Sequence, residues 1–478
     1  RQFDCIVSNP PWMAMSKLAV NPYKTSLQTL ADRYGIKPAG ASHPHMELAT
    51  IFLVCAVDRY LKAGGFWSCI MPGSLLSGLN HDHFRCENFR TARANVSIQI
   101  NALWELPIDT FKNKAIVISG KKENQPTPDR LCGRVYSAPC AFSECGYTLN
   151  RQGSRSAWTN QGADVDVVDV INENPLRFYQ GCDIFPRTAL FHKFTERANG
   201  NWDISPIERT DDLWYLVSDS KIECCNELSG NNIDREYVFD AAISKHLSPF
   251  IVSEPAKVLI PGRKTAGEWQ TISTADRVRM NTSTNAVFTQ IETGVEEDLV
   301  HYFEDKINIY GKLRNQNFST ANWLVLSNAS GANPCAAYVS LESLNRSRLI
   351  IDQTLYWYLA ETEDEAVFYV GLLNSDALAD AIKDFQPEGG FGKRHIHTLP
   401  YKIMPHYDPE QPLHIDVVEA TKELIREWVE KCRSDAVLGA KLNPNSGALH
   451  SRRRRQQSAI KALGAYENYA AACSEILR

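Results

Sequence analysis

The sequence predicts an α/β chain: part of an open sheet flanked by helices, then an α+β region, then helices at the C-terminal end. Three observations carry this. An apolar run of strand type, Phe3 to Val7, stops at Ser8-Asn9 and meets Pro10-Pro11-Trp12 at once. A helix-patterned stretch, Met46 to Lys62, ends in Ala63-Gly64-Gly65, leads into a second apolar run, Phe66 to Met71, and stops at Pro72-Gly73-Ser74. From Trp214 onward, short strand-like runs are spaced by polar turns, and amphipathic helical patterns take over near residue 415. Strands alternating with helices predict a sheet with covering helices, and short mixed elements predict an α+β region.

The first run matters most. Proline cannot continue a ladder, and it pushes the residue before it into an extended conformation. Asn9 is therefore expected at the C-terminal end of a strand, with a stiff non-helical backbone after it. Ligands of open α/β sheets bind just outside those strand ends. There Asn9 offers an amide oxygen, Pro10 a carbonyl freed from the ladder, and Trp12 a flat ring. Two such oxygens accept hydrogen bonds from a planar amino group, and an indole stacks on the ring that carries it. Pro-Pro-Trp alone has a plainer reading, a strand ending in a loop with Trp12 in the core.

Residues 13–45 read as a long polar connection, punctuated by Asn21-Pro22, Gly35, Pro38, Gly40 and Pro44, and serving as a lid or a solvated insertion. Residues 46–62 read as a helix with Leu48, Ile51, Phe52, Cys55 and Val57 on a broad apolar face, closed by glycine. A helix is expected over 82–95, a strand over Val96 to Leu106, and a loop entering another strand over Phe111 to Ile118. Residues 121–165 are polar and irregular and read as the way out of the first domain. Beyond Phe178 to Arg187, strands are expected at Trp214 to Val217, Lys257 to Ile260, Trp323 to Ser327 and Leu349 to Ile351. Helices are expected at Glu296 to Leu313, Ala366 to Asn374, 415–435 and Ile460 to Leu477, with the run Arg452 to Arg455 solvated. The domain reading is 1–150, 151–415 and 416–478.

Composition narrows the class. The chain of 478 residues is 44% hydrophobic and 22% charged, ordinary for a globular protein of several domains. Its net charge is −5, so a polyanionic partner would have to meet local basic patches. Thirteen scattered cysteines without a C-x-x-C pair read as reduced thiols in a cytoplasmic protein. No apolar run reaches membrane length. Three basic clusters are candidates for nucleic acid. Arg263 and Lys264 lie in a turn suited to phosphate. In Lys312-Leu313-Arg314-Asn315-Gln316, Asn and Gln match adenine edges and Arg matches guanine. Lys393, Arg394 and His395 follow Gly389-Gly390-Phe391-Gly392, where glycines allow close backbone approach. For the first two clusters a solvated surface is the plain alternative. His395 and His397 have no third ligand near them in sequence, so no metal is assigned.

The stretch Phe3 to Trp12 resembles motif IV, Asn/Asp-Pro-Pro-aromatic, of amino-group DNA methyltransferases. The helix, Gly-Gly, strand, Pro unit resembles motifs V and VI, and Phe111 to Ile118 resembles motifs VII and VIII. Phe178 to Arg187 resembles the opening of the recognition region in large adenine methyltransferases of restriction-modification and phage-defence type. Gly389 to Pro400 resembles that region's closing part. The resemblance implies the C-terminal part of a Rossmann-like class I methyltransferase sheet followed by an α+β target-recognition domain. It also implies S-adenosylmethionine as methyl donor, double-stranded DNA as partner, and adenine N6 as acceptor. Asn9, Pro10, Pro11 and Trp12 would be the catalytic set, with Trp12 and Phe111 stacking on the target base, although a core phenylalanine reads Phe111 equally well. The family's glycine-rich cofactor loop and acidic ribose residue are not found downstream. The resemblance thus implies a preceding cofactor half, or another subunit of a defence system, without which this stretch is inactive. Protein-glutamine and RNA-guanine methyltransferases carry similar motifs, and the long region after the motif weighs against the former. An RNA methyltransferase and a non-catalytic DNA-recognition or assembly subunit stay open as alternatives.

Overall fold

The computed structural model describes residues 2–38, 45–107, 110–111, 113–138, 140–152, 155–160, 176–218, 225–265, 267–318, 321–329, 334–383, 385–386, 388–389, 392–393 and 399–477. The chain is a mixed α/β fold in two units. One comprises Arg1–Glu173 with Asp380–Ile403, the other Asn174–Ala379 with Met404–Leu477.

In the first unit, β1 (Phe3–Ser8), β2 (Leu61–Pro72), β3 (Gln99–Glu105), β4 (Ala115–Lys121), β5 (Arg130–Ala138), β6 (Ala141–Gln152) and β7 (Arg155–Thr159) form one sheet. The order is β1-β2-β4-β3-β5-β6-β7. β1 runs parallel to β2, with Ile6 beside Trp67 and Ser8 beside Cys69. Two parallel neighbours need a crossover, and α2 (Leu48–Tyr60) supplies it at the start of β2. Leu48, Ala49, Ile51, Leu53, Val54 and Val57 are buried by it. Each of the larger side chains contributes about 1.5–3 kcal/mol on burial. Among the described residues β1 pairs with β2 alone, and Val7 is 80% exposed and Phe3 55% exposed on it.

Three expectations for this unit change. The polar connection 13–45 contains a helix, α1 (Pro22–Arg33). Asn21 caps it by accepting from the Lys24 amide at 2.9 Å, with Pro22 in the first turn. The pair that looked like loop punctuation is a helix start, since proline is preorganised there. Residues 82–95 hold only one α-turn, Asp82–Arg85, and a 3-10 turn, Asn88–Arg90. Arg85 is buried and donates to the Leu75 carbonyl at 3.0 Å and the Ser156 hydroxyl at 3.1 Å, which pins the turn instead of extending it. The irregular stretch from 121 supplies β5, β6 and β7. β5 and β6 are half-exposed, so their apolar period is weak and the polar faces read as loop, while the short β7 is buried through Ser156, Ala157, Trp158 and Thr159.

The second unit holds several small sheets, two of which matter here. β8 (Val238–Ala242) pairs antiparallel with β9 (Ala256–Leu259) and parallel with a strand at Leu349–Ile351. A hairpin follows β9: β10 (Gly262–Thr265) and β11 (Glu268–Thr271), with Lys264 opposite Trp269. The helix α3 (Thr282–Val295) ends at Glu296 in a left-handed conformation, φ 57°. The helix expected over Glu296 to Leu313 starts later and is interrupted: a short turn at Leu299–His301 continues into a π-turn at Tyr302–Ile307, and a 3-10 turn at Ile309–Gly311 follows, with Tyr310 at φ 58°. Trp214–Leu216, expected as a strand, is also a 3-10 turn. β12 (Trp323–Asn328) is flanked by β13 (Ala336–Ser340) and by a strand at Leu355–Ala360, both antiparallel to it. In chain order the strand Leu349–Ile351 is β14 and Leu355–Ala360 is β15.

The helix α4 (Glu363–Asn374) is buried from Ala366 through Leu373. It packs on β12 and β13, and α5 (Pro412–Ser434) packs on it in turn. The arginine run lies in α6 (Leu449–Ile460); Arg454 and Arg455 are exposed as expected, whereas Arg452 and Arg453 turn inward. Arg452 is buried and donates to the carbonyls of Asn443, at 2.8 Å, and Lys245. Arg453 donates to Ser244 at 2.7 Å and Leu247 at 3.0 Å. A last helix, α7 (Tyr466–Ile476), packs along α5.

One buried carboxyl has a measurable consequence. Burial, then the neighbouring Asp352, pushes Asp183 up to about 6, against the pull of Lys312 and Arg187. Raised above its ordinary range, this group contributes stability that is full below about pH 4 and lost as pH rises through about 6. Urea unfolding between pH 4 and pH 7 should show this loss, and Asp183→Asn should flatten it. An unchanged slope in the variant would refute the assignment.

Candidate active site

β1 releases the chain at Asn9. Asn9 and Pro11 are exposed, Pro10 is buried and Trp12 is half-buried. The Trp12 indole N–H donates to the Ile70 carbonyl of β2 at 3.2 Å, which ties the proline turn to the neighbouring strand. Phe111, just before β4, lies against Trp12 with ring centroids 5.3 Å apart and planes at 50°. The fold thus brings together the two aromatics that the sequence placed 99 positions apart. At that spacing the rings touch, so a base sandwiched between them requires Phe111 to withdraw.

The chain after Trp12 runs against the start of α2. The Met15 amide donates to Met46 at 2.8 Å, and the Leu48 amide donates to Met13 at 3.0 Å. This places Glu47 opposite Ala14. The Ser74 hydroxyl, just past β2, donates to the Glu47 carboxylate at 3.0 Å and lies 3.3 Å from His81 Nε2. His81 Nε2 is 3.4 Å from the same carboxylate, and its buried Nδ1 has no hydrogen-bond partner. Sequence reasoning missed this cluster. Its members are 34 positions apart at most and carry no shared motif, so only the folded sheet joins them. Glu47→Ala should cost about 1–3 kcal/mol of stability, because it takes a partner from the buried His81 imidazole and the half-buried Ser74 hydroxyl. Chemical denaturation reads this directly, and an unchanged midpoint would show the carboxylate to be idle.

The Gly-rich segment near Lys393 also belongs to this unit. Glu388 pairs with Lys393 and Gly389 with Gly392 in a small hairpin, and Glu388–Gly389 packs on the turn Gly73–Leu75. The Ser77 hydroxyl donates to the Gln386 carbonyl at 3.1 Å. The segment had been read as the end of the recognition region. Its backbone instead lies beside the C-terminal end of β2. Arg394 and His395 lie outside the described residues.

In the second unit the predicted contacts separate. Arg263 is in an ion pair with Asp276 at 2.8 Å. Lys264 is half-buried, its ammonium 6.0 Å from the centre of the Trp269 ring, and burial lowers its pKa. Lys312 donates to Gln180 at 2.8 Å, and burial lowers its pKa too. Arg314 forks onto Glu304, with one arm at 2.7 Å. Asn315 is exposed. Gln316 is buried, donates to the Ile351 carbonyl at 2.9 Å and accepts from its amide at 2.7 Å. It is committed to the backbone of β14 and is not available to a base edge. Among the described residues no group of three or more His, Cys, Asp or Glu is arranged to hold a metal ion. No described helix is long and apolar enough to cross a membrane.

No family model matches the chain, and no curated protein matches it in sequence. Solved structures do share its fold. Over 99% of this chain, the fold is similar to that of the Type IIL restriction-modification enzyme MmeI in complex with DNA, with a TM-score of 0.55 and 11% identity. The chain spans 54% of that enzyme, about half its length. Weaker likenesses are to a nuclease-deletion mutant of the Type ISP restriction-modification enzyme LlaGI, bound to a DNA substrate mimic, and to the type IIG restriction endonuclease BpuSI. The first has a TM-score of 0.44 and 11% identity over 88% of this chain and 41% of that one. The second has a TM-score of 0.29 and 13% identity over 99% and 54%. The similarity to MmeI establishes a shared architecture over both units. The other two add no argument.

Proposed function

We propose that this chain carries the base-holding and DNA-recognition parts of a DNA adenine-N6 methyltransferase of a restriction-modification or phage-defence system. The observation that carries the reading is the corner at the end of β1. Asn9 is exposed there at a strand's C-terminal end, and Trp12 beside it is fixed to β2 and met by Phe111. The shared architecture with MmeI supports it.

The chemistry follows from what these residues present. Adenine N6 is a poor nucleophile because its lone pair is delocalised into the ring. Asn9 Oδ1 and the Pro10 carbonyl accept its two hydrogens, which draws the nitrogen toward tetrahedral geometry and localises the lone pair. Pro11 stiffens the turn, so the acceptors are already oriented. The base must leave the duplex stack at a cost of a few kcal/mol, and stacking on Trp12 offsets part of it. S-adenosylmethionine, when bound, supplies the electrophilic methyl group. The donor and acceptor set at this corner fits a planar amino group and not the cofactor, since Glu47, the carboxylate opposite Ala14, is committed to Ser74 and His81. In this proposal residues outside this chain hold the cofactor.

The test joins the chain to its native upstream residues or to the partner that supplies the cofactor half. Radiolabelled S-adenosylmethionine and mixed-sequence duplex are added, with single-stranded RNA as competitor. Label recovered as N6-methyladenine in DNA is the expected result. Label in RNA selects RNA methylation. Duplex binding without label selects a recognition subunit.

A further inference from the structure

Between the hairpin β10–β11 and the loop that precedes β14 lies a cleft of about 420 Å³. Its cations are Lys264, Arg346 and Arg348, its one carboxylate is Glu236, and Phe239 and Phe318 line it as buried rings. Cations on this unit's surface are commonly paired: Arg263 with Asp276, Lys257 with Asp240, Arg277 with Glu292 and Arg314 with Glu304. Lys264, Arg346 and Arg348 form no ion pair among the described residues.

The two guanidinium groups are nevertheless held in place. Arg348 donates to the carbonyls of Arg235 at 2.5 Å and Val238 at 2.6 Å, and lies 5.7 Å from the centre of the Phe239 ring. Arg346 donates to Leu341 at 3.1 Å and to the Asn322 side chain at 3.3 Å. Burial lowers the pKa of Lys264; it also lowers that of Arg348, helped by Arg235 and opposed by Asp240 and Glu236. Three fixed cations facing one lining carboxylate, Glu236, leave a net positive charge in a concave, partly desolvated site, and that costs free energy until an anion arrives. Gly267, at the hairpin tip with φ +88°, has no atom within 4 Å of where a Cβ would stand, so the approach past the tip is open.

The geometry points to a phosphate site: Arg346, Arg348 and Lys264 converge on one phosphate group, carried by a DNA backbone or by a free nucleotide. Arginine forks match phosphate oxygens, and lysine adds a point charge. If the phosphate belongs to DNA, the site rests on the methyltransferase reading and deepens it, because it names where the second unit grips the backbone. Arg263, next to Lys264 in sequence, is excluded by its pairing with Asp276.

The experiment uses the full chain and the double variant Lys264→Met/Arg346→Gln, which spares Arg348 and its backbone anchors. The single variant Arg346→Lys keeps the charge, and Arg426→Gln removes one cation from the exposed face of α5. Melting curves confirm that each is folded. Binding of a 20-bp duplex is measured by anisotropy across 50–200 mM salt, and binding of pyrophosphate by calorimetry. For a DNA phosphate, the double variant should lose about tenfold or more in duplex affinity. Its log K against log salt slope should flatten by roughly 0.9, the value for one phosphate contact. Arg346→Lys should retain most of the affinity and Arg426→Gln nearly all of it. Duplex binding that is absent or insensitive to the variants, with pyrophosphate binding abolished by the double variant, would keep the site and assign it to a free nucleotide. The proposal is overturned if the double variant alters neither ligand, if neither ligand binds, or if Arg426→Gln weakens the duplex equally.

Discussion

Replacing Asn9 by alanine should lower methyl transfer by about 10²–10³-fold while leaving duplex affinity within about twofold. That is the scale lost when one preorganised hydrogen-bonding group aimed at a transition state is removed. The effect should fall on turnover, since Asn9 is exposed and its loss breaks no packing. Stability should change by less than about 0.5 kcal/mol. Asn9→Asp keeps an acceptor at the same place and should retain part of the rate. The measurement is single-turnover transfer beside anisotropy on the same preparation. Loss of duplex binding in step with activity would place Asn9 in DNA docking, and full activity in Asn9→Ala would end the assignment of the corner at β1.

The second large effect is on folding. Gln316→Leu should destabilise the second unit by about 1–3 kcal/mol, because the buried Ile351 amide loses its partner, while the Ile351 carbonyl keeps the Cys182 amide at 2.8 Å. Urea unfolding should show a lower midpoint at an unchanged slope. Duplex affinity per folded molecule should not move. A base-reading glutamine would behave in the opposite way, with stability kept and discrimination at one base pair relaxed by about 1–3 kcal/mol.

These two residues mark what could be read in advance. Asn9 was legible because proline chemistry is local: two adjacent prolines dictate where the strand stops and how the backbone leaves it. The same holds for α2 and β2, whose apolar period and closing glycines declare their limits, and for α4. Gln316 was misread because a lone polar residue carries no mark of burial. It faces inward only because β14, 35 positions later, presents an amide and a carbonyl to it. Arg452 and Arg453 of α6 were misread for the same reason, since each donates to a carbonyl more than 200 positions earlier.

By itself, then, the sequence determined the α/β class, the corner at the end of β1 with its amide and indole, and the helices with a strong apolar period. Each of these follows from short-range backbone sterics or from a repeat within one element. The tertiary structure alone decided that β5 to β7 extend the first sheet, that Phe111 meets Trp12, that Glu47, Ser74 and His81 form one cluster, and which cations keep their charge unpaired. Those outcomes depend on which distant groups satisfy each other's hydrogen bonds and charges, and that is settled only when the sheet registers bring them within reach.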